Sequence, residues 1–234
     1  GSGELHTYAN VPVGNPVPPE FARTLRHGYY ASISFMDAQV GRVLDALERE
    51  GLAKNTIVVL WGDHGWHLGD HGLWNKHTNF ELAVRAPLIV SDPAQKNKGQ
   101  KSPALVEFVD VYPTLCDLAG LSVPAGLDGV SVRPLLSRPQ DSVKKFAVSQ
   151  YPRGGAQTGN QPLMGYSLRD ERWRLTLWRN RRDGSIAATE LYDEQNDPHE
   201  TKNQAAVQKE LVTRLSAQLA PLFRTAPPLN QKPD

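Results

Sequence analysis

Apolar residues repeat with a helical period over residues 20–50 of the chain. Apart from one adjacent pair, they recur at every third or fourth position, so they would share one face of a helix. Prolines precede the segment at positions 18 and 19 and a glycine follows it at position 51, which are usual boundary residues of a helix. The pattern predicts a long amphipathic helix with apolar positions Leu25, Tyr29, Ile33, Met36, Val40, Val43, Leu44 and Leu47.

Two short apolar runs follow this segment, at residues 55–62 and 86–92. Continuous runs between turn residues are typical of strands buried on both faces, as in a parallel sheet that helices cover. A second helical pattern covers residues 105–121, with Pro113 as a candidate break. We therefore predict an α/β domain with a mostly parallel sheet over residues 20–136.

The pattern changes after the polar, turn-forming residues 137–142. Short segments of partly alternating apolar and polar residues, joined by Gly, Asn and Asp, predict an antiparallel meander. Residues 205–223 repeat an apolar residue at Val207, Leu211, Leu215 and Leu219, which predicts one amphipathic helix. Residues 137–234 are thus predicted to form a small α+β subdomain. The Gly-, Pro- and Asn-rich residues 1–19 are predicted to be a loop or linker that continues from a missing N-terminal part.

Composition narrows the function classes. The 234 residues are 39% hydrophobic, which suffices for a sizeable core, and the net charge is +1. A nucleic-acid partner is not expected, because such proteins usually carry a dense basic face. A membrane span is not expected either, since no apolar stretch approaches the roughly 20 residues that a bilayer requires.

Residues with catalytic chemistry concentrate in the segment 62–77, "GDHGWHLGDHGLWNKH". Asp63 lies at the end of the first predicted strand, and ligands of open α/β sheets bind outside the carboxyl ends of strands. A carboxylate there can bind Ca²⁺ or Mg²⁺. His64 adds a second donor, and Lys76 adds a mobile positive charge suited to a tetrahedral oxyanion. This combination suits the hydrolysis of sulfate or phosphate esters, in which negative charge develops on oxygen.

Simpler structural roles remain open for the same residues. Asp63 can cap the turn that follows the strand, as Asp often does. His67, His71 and His77 can each be hydrogen-bonded loop residues, because neutral imidazole both donates and accepts hydrogen bonds.

The segment "GDHGWHLGDHGLWNKHTNFELAVRAPLIV" (62–90) resembles the C-terminal metal-site segment of the sulfatases, in the alkaline phosphatase-like superfamily. "YYASISFMDAQVGRVLDALE" (29–48) and "FVDVYPTLCDLAGL" (108–121) resemble helices of the same family. The likeness extends over nearly the whole chain from about residue 18 and is strongest to the iduronate-2-sulfatase group. It implies that residues 20–136 are the C-terminal portion of the family's α/β sandwich.

The resemblance also assigns roles to individual residues. It implies that Asp63 and His64 are metal-site residues, with Ca²⁺ as the expected ion and Mg²⁺ as the alternative. Lys76 would contact the sulfate oxygens and act in catalysis together with His64. Trp66 and His77 would face the sugar side of the pocket, so that the implied substrate is a sulfated carbohydrate.

The family nucleophile is a Cys or Ser in a C/S-x-P-x-R stretch, converted to formylglycine, and this chain contains no such stretch. The resemblance therefore implies that formylglycine lies on a missing upstream segment. The expected partner is the missing N-terminal half of the enzyme or a second chain, and this chain alone is expected to be incomplete and inactive. The sequence leaves the location unknown, and the resemblance suggests a periplasmic, secreted or lysosomal one.

Two other functions remain open. A phosphate or phosphonate ester hydrolase of the same superfamily would use the same metal chemistry. A catalytically inactive domain that binds sugar sulfates would need the fold without the nucleophile. Its candidate sugar platforms are the aromatic residues Trp66, Trp74, Tyr151, Tyr166, Trp173 and Trp178.

Overall fold

The computed structural model describes residues 3–12, 14, 16–96, 98–154 and 158–223. These residues form two compact units. The first unit takes the described residues of 1–77, 82–104 and 108–143, and the second takes those of 78–81, 105–107 and 144–234. The boundary predicted between residues 136 and 137 stays a prediction.

The first unit combines one long helix with short strands and helices. Its elements are α1 (Pro19–Arg49), β1 (Val58–Trp61), β2 (His67–Leu68), β3 (Trp74–Asn75), α2 (Glu81–Val84, which begins in the second unit), β4 (Leu88–Ser91), α3 (Val111–Leu118) and α4 (Arg133–Ser137). A 3-10 turn, Leu5–Thr7, precedes them in the segment predicted to be a loop or linker. Leu5 and Val17 of that segment are buried in a small core with Ala22 and Trp74.

Helix α1 confirms the helix predicted over residues 20–50. It begins at Pro19, which is suited to the first turn because that turn leaves backbone N–H groups without helical partners. Its apolar face is largely exposed within the described residues, including Ile33, Met36 and Leu44. Neither α1 nor any other helix of the described ranges is both long and apolar enough to cross a bilayer.

The expectation of a parallel sheet is wrong for the strands of the first unit. Strands β1 and β4 pair antiparallel, with Val58 opposite Ser91 and Trp61 opposite Leu88. Strands β2 and β3 also pair antiparallel. The prediction assumed strands buried on both faces, but Trp61 and Ile89 are 48% and 58% exposed. A β-branched run therefore identified the strands correctly without fixing their direction.

The helix predicted over residues 105–121 is shorter than expected. A 3-10 turn covers Phe108–Asp110, and α3 covers Val111–Leu118. Pro113 does not break this helix, because it lies in the first turn, where a missing N–H removes no helical hydrogen bond.

The second unit confirms the predicted antiparallel meander and single helix. Strands β5 (Ala147–Arg153), β6 (Leu163–Arg169), β7 (Trp173–Asn180) and β8 (Ile186–Asp193) form one sheet in sequence order. Helix α5 (Lys209–Leu219) packs Leu215 and Leu219 into a core with Leu168, Leu175 and Leu191. The helix starts later than predicted, since Val207 lies in the preceding turn and is 76% exposed.

Candidate functional site

A glycine turn at the end of β1 positions Asp63 and His64. The N–H of Gly65 donates to the carbonyl oxygen of Ala83 at 2.7 Å. A Cβ atom at Gly65 would overlap the backbone carbonyl of Leu82, so only glycine fits this close approach. The turn projects the Asp63 side chain outward, 85% exposed, while the His64 side chain is 29% exposed.

Asp63 and His64 place a carboxylate and an imidazole side by side. The Nδ1 of His64 donates to the carbonyl oxygen of Gly65 at 2.8 Å, since a carbonyl can only accept. The Nε2 atom of the same ring lies 3.4 Å from Oδ2 of Asp63. In the neutral imidazole this tautomer leaves an electron pair on Nε2 beside the carboxylate, which fits a bound cation. Across the described ranges, no cluster of three or more His, Cys, Asp or Glu residues could hold a metal.

Trp66 connects His64 to Lys76. Its ring stacks on His64, with centroids 5.6 Å apart, and on Tyr29 of α1, with centroids 6.0 Å apart. The Nζ of Lys76 lies 5.5 Å from the centroid of the Trp66 ring, within cation–π range. A positive charge is therefore held on an aromatic face next to the candidate metal-binding pair.

The β2–β3 hairpin explains why Lys76 returns to Trp66. His67 lies opposite Asn75 in the ladder, so residues 66 and 76 directly flank the paired positions. Arg26 of α1 donates from Nε to the carbonyl oxygen of Leu68 at 2.9 Å and lies over the Trp74 ring. These contacts anchor the hairpin on α1.

A carboxylate that sequence reasoning missed lies between Lys76 and His77. The Oε1 of Glu4 is 3.4 Å from Nζ of Lys76, and its Oε2 is 3.2 Å from Nδ1 of His77. Only 14% of the Glu4 side chain is exposed, against 32% for Lys76 and 44% for His77. Glu4 is 72 positions from Lys76 in the sequence, and no local pattern marks it.

His67 lies apart from the candidate metal-binding pair. It is fully buried, and its ring meets the edge of His71 at a centroid distance of 6.2 Å. Burial, and secondarily the positive charge that His71 can carry, lowers the pKa of His67 to about 4. His67 is therefore neutral near neutral pH, which suits a structural role in strand β2.

A buried charge cluster in the second unit was also missed. Arg174, which is 2% exposed, pairs with Glu81, with Glu194 at 3.1 Å and with Glu200 at 2.9 Å. Arg169 lies 3.7 Å from Glu81 and 3.8 Å from Glu194. Burial raises the pKa of Glu194 and raises that of Glu200 to about 8. Three carboxylates thus share two guanidinium groups, so holding one proton in the cluster relieves their repulsion.

Comparisons with known families identify the chain's relatives. A sulfatase family model matches residues 6–121, and a model described as "N-sulphoglucosamine sulphohydrolase, C-terminal" matches residues 69–225. Iduronate 2-sulfatase of Mus musculus is 34% identical, over 83% of this chain and 46% of the relative. The chain thus spans less than half the length of this curated relative.

Solved structures give the same result. One, described as a complex with its substrate D-glucosamine-2-N,6-O-disulfate, is 31% identical, with a TM-score of 0.69 over 83% of this chain and 38% of the other. Phosphonate monoester hydrolase from Silicibacter pomeroyi is 27% identical, with a TM-score of 0.77 over 88% of this chain and 42% of the other. These similarities confirm the predicted alkaline phosphatase-like fold class. The chain belongs to the sulfatase family.

Proposed function

We propose that this chain is part of a sulfuric ester hydrolase that acts on a sulfated sugar, as iduronate-2-sulfatases do. One observation carries the proposal. A continuous series of contacts runs from the exposed carboxylate of Asp63, through the rings of His64 and Trp66, to the ammonium group of Lys76. A metal-binding pair and a fixed positive charge on one surface fit an ester whose oxygens gain charge during the reaction.

Asp63 and His64 would hold the metal ion, with Ca²⁺ expected and Mg²⁺ as the alternative. The donor set fits such an ion in part, because it offers one exposed carboxylate and one imidazole nitrogen beside it. Further ligands would have to come from outside these residues. When bound, the ion would polarise the sulfate oxygens as a Lewis acid.

The remaining candidate residues would bind and orient the substrate. Lys76 would place its ammonium group against the sulfate oxygens and stabilise the charge of the leaving group. Its contact with the Trp66 ring restricts the side chain in advance, so less conformational entropy is lost when substrate binds. Trp66 and His77 would face the sugar. The nucleophile would be formylglycine on an upstream segment, supplied by the N-terminal half of the enzyme or by a second chain.

Substitution of Lys76 in the complete enzyme tests this assignment. Lys76→Ala is expected to lower the turnover of an aryl sulfate by roughly 10²- to 10³-fold, as the loss of one oxyanion-stabilising donor does in other enzymes. Lys54→Ala is the matched control, because Lys54 is an exposed lysine of the same unit. A rate for Lys76→Ala equal to that of the control removes Lys76 from the mechanism.

The calcium assignment has a readout that does not depend on turnover. Binding of Ca²⁺ to the folded protein raises its melting temperature by mass action. We expect that rise in the complete enzyme and expect Asp63→Asn to reduce it, since the amide has lost the ligand charge. An equal rise in the variant would exclude Asp63 as a ligand.

Hydrolysis of a phosphate or phosphonate ester is the second candidate. The structural similarity to a phosphonate monoester hydrolase favours it, because the same fold supports that chemistry in the relative. Turnover of aryl sulfate, aryl phosphate and aryl phosphonate esters by the complete enzyme distinguishes the candidates.

A domain that only binds sugar sulfates has less support. Three of its candidate sugar platforms, Trp74, Tyr166 and Trp178, are no more than 5% exposed. Such buried rings serve the core and cannot stack on a sugar. Catalytic turnover of an aryl sulfate by the complete enzyme would exclude the binding-only function, and the chain alone is expected to show none.

A further inference from the structure

Glu4 is held firmly at the candidate site. The next residue, Leu5, is 4% exposed and lies in a core cluster with Trp74. The Thr7 hydroxyl donates to the carbonyl oxygen of Glu4 at 2.7 Å, and the Tyr8 hydroxyl donates to its Oε1 at 3.4 Å. The position of this carboxylate is therefore set by its own turn and by the core.

The carboxylate divides its two oxygens between Lys76 and His77. Each oxygen lies within ion-pair distance of one of these side chains, at 3.4 and 3.2 Å. Because only 14% of the Glu4 side chain is exposed, solvent and salt screen its charge less than that of a surface carboxylate. An anion that binds Lys76 must do so in the field of this negative charge.

We propose that Glu4 is a specificity-determining residue that selects monoanionic sulfate esters over dianionic phosphate monoesters. The inference rests on the proposed substrate-binding role of Lys76. A sulfate monoester carries one negative charge, whereas a phosphate monoester carries nearly two near neutral pH, since its second pKa is about 6. Repulsion from Glu4 is therefore about twice as large for the phosphate ester.

Replacement of Glu4 by a neutral residue of similar size removes this repulsion. In the complete enzyme, Glu4→Gln is expected to raise the ratio of kcat/KM for aryl phosphate to that for aryl sulfate. The expected rise is roughly ten- to fiftyfold, the effect of one unit charge about 7 Å away at an effective dielectric constant of about 20 to 40. Glu4→Asp keeps the charge and should keep the wild-type ratio.

Glu20→Gln is the matched control. Glu20 belongs to the same unit, pairs with Arg23 at 3.2 Å and has a side chain that is 81% exposed. Its loss should leave the substrate ratio unchanged. A purely structural role of Glu4 predicts a lower melting temperature with the same ratio, so the ratio separates selection from stabilisation.

Calorimetric binding of phenyl sulfate and phenyl phosphate provides a second measurement that needs no turnover. Glu4→Gln should strengthen the binding of phenyl phosphate relative to phenyl sulfate. If the Gln variant does not fold, Glu4→Met serves as the neutral variant instead. An unchanged ratio in the neutral variant, by turnover or by binding, overturns the inference. Absence of aryl sulfate turnover in the wild type contradicts the proposed function instead, while the binding ratio still decides the role of Glu4.

Discussion

Glu200 is the group through which we expect the second unit to lose stability as the pH rises. Its side chain is 2% exposed, with Oε1 2.9 Å from Nε of Arg174. Its Oε2 accepts the backbone N–H of Glu81 at 2.7 Å. Burial nevertheless raises the pKa of Glu200 from 4.5 to about 8. Near neutral pH the folded protein therefore retains a proton that the unfolded chain has released.

The sign and size of the effect follow from proton linkage. The folded state binds more protons than the unfolded state between pH 4.5 and about 8, so the free energy of unfolding falls as pH rises through this range. The stabilisation is present in full below pH 4.5 and lost above pH 8. Each pH unit contributes up to about 1.4 kcal/mol, so a rise from about pH 6 to about pH 8 costs up to about 3 kcal/mol.

Glu200→Gln tests this linkage, because the amide does not titrate. Urea unfolding of the complete enzyme, followed by tryptophan fluorescence at pH 6 and pH 8, measures the loss of stability in each protein. We expect a clear fall in the wild type and a much smaller one in Glu200→Gln. The exposed Glu171→Gln serves as the control and should follow the wild type.

The comparison of slopes decides the question independently of how much the substitution itself destabilises the unit. If the stability of Glu200→Gln falls with pH as steeply as that of the wild type, Glu200 does not hold the proton and the reasoning is refuted. An unchanged dependence of stability on pH in Glu200→Gln would show that another group in the protein binds the proton.

Two further predictions concern the first unit. Gly65→Ala is expected to destabilise the complete enzyme by about 1–3 kcal/mol and to lower aryl sulfate turnover, because the added methyl displaces the turn that carries Asp63. Gly28→Ala is the control in thermal melts and activity assays, because Gly28 has open space around it. Burial lowers the pKa of His67 from 6.5 to about 4, so the free energy of unfolding should fall as the pH drops from 6.5 towards 4. His67→Gln should therefore show a smaller change in melting temperature between pH 7 and pH 5 than the wild type.

Much of the fold follows from periodicity within single elements. The helical repeat over residues 20–50 predicted α1 to within one residue at each end. The alternation beyond residue 142 predicted the antiparallel sheet of the second unit, since neighbouring strands there are joined by short turns. In both segments the decisive interactions join residues that are close in sequence.

Strand direction in the first unit did not follow from local pattern. The runs that became β1 and β4 are separated by 26 residues, and either pairing direction is compatible with their composition. The partial exposure of both strands is a property of what packs on them in the folded chain. A run of apolar residues predicts that a strand tends to be buried, but it does not predict which element packs over it.

The residues of the candidate site differ in the same way in how far the sequence alone predicts them. A short motif was enough to group four residues that lie within 14 consecutive positions, Asp63, His64, Trp66 and Lys76. The two-residue ladder of β2 and β3 brings positions 66 and 76 together. Glu4 lies beside Lys76 next to Leu5, which is buried in one cluster with Trp74, and this tertiary arrangement has no sequence signature. The grouping of these candidate residues was therefore predictable from the sequence, whereas the carboxylate beside Lys76 required the fold. If that charge governs selectivity, relatives with the same motif can differ in substrate through a residue far outside it.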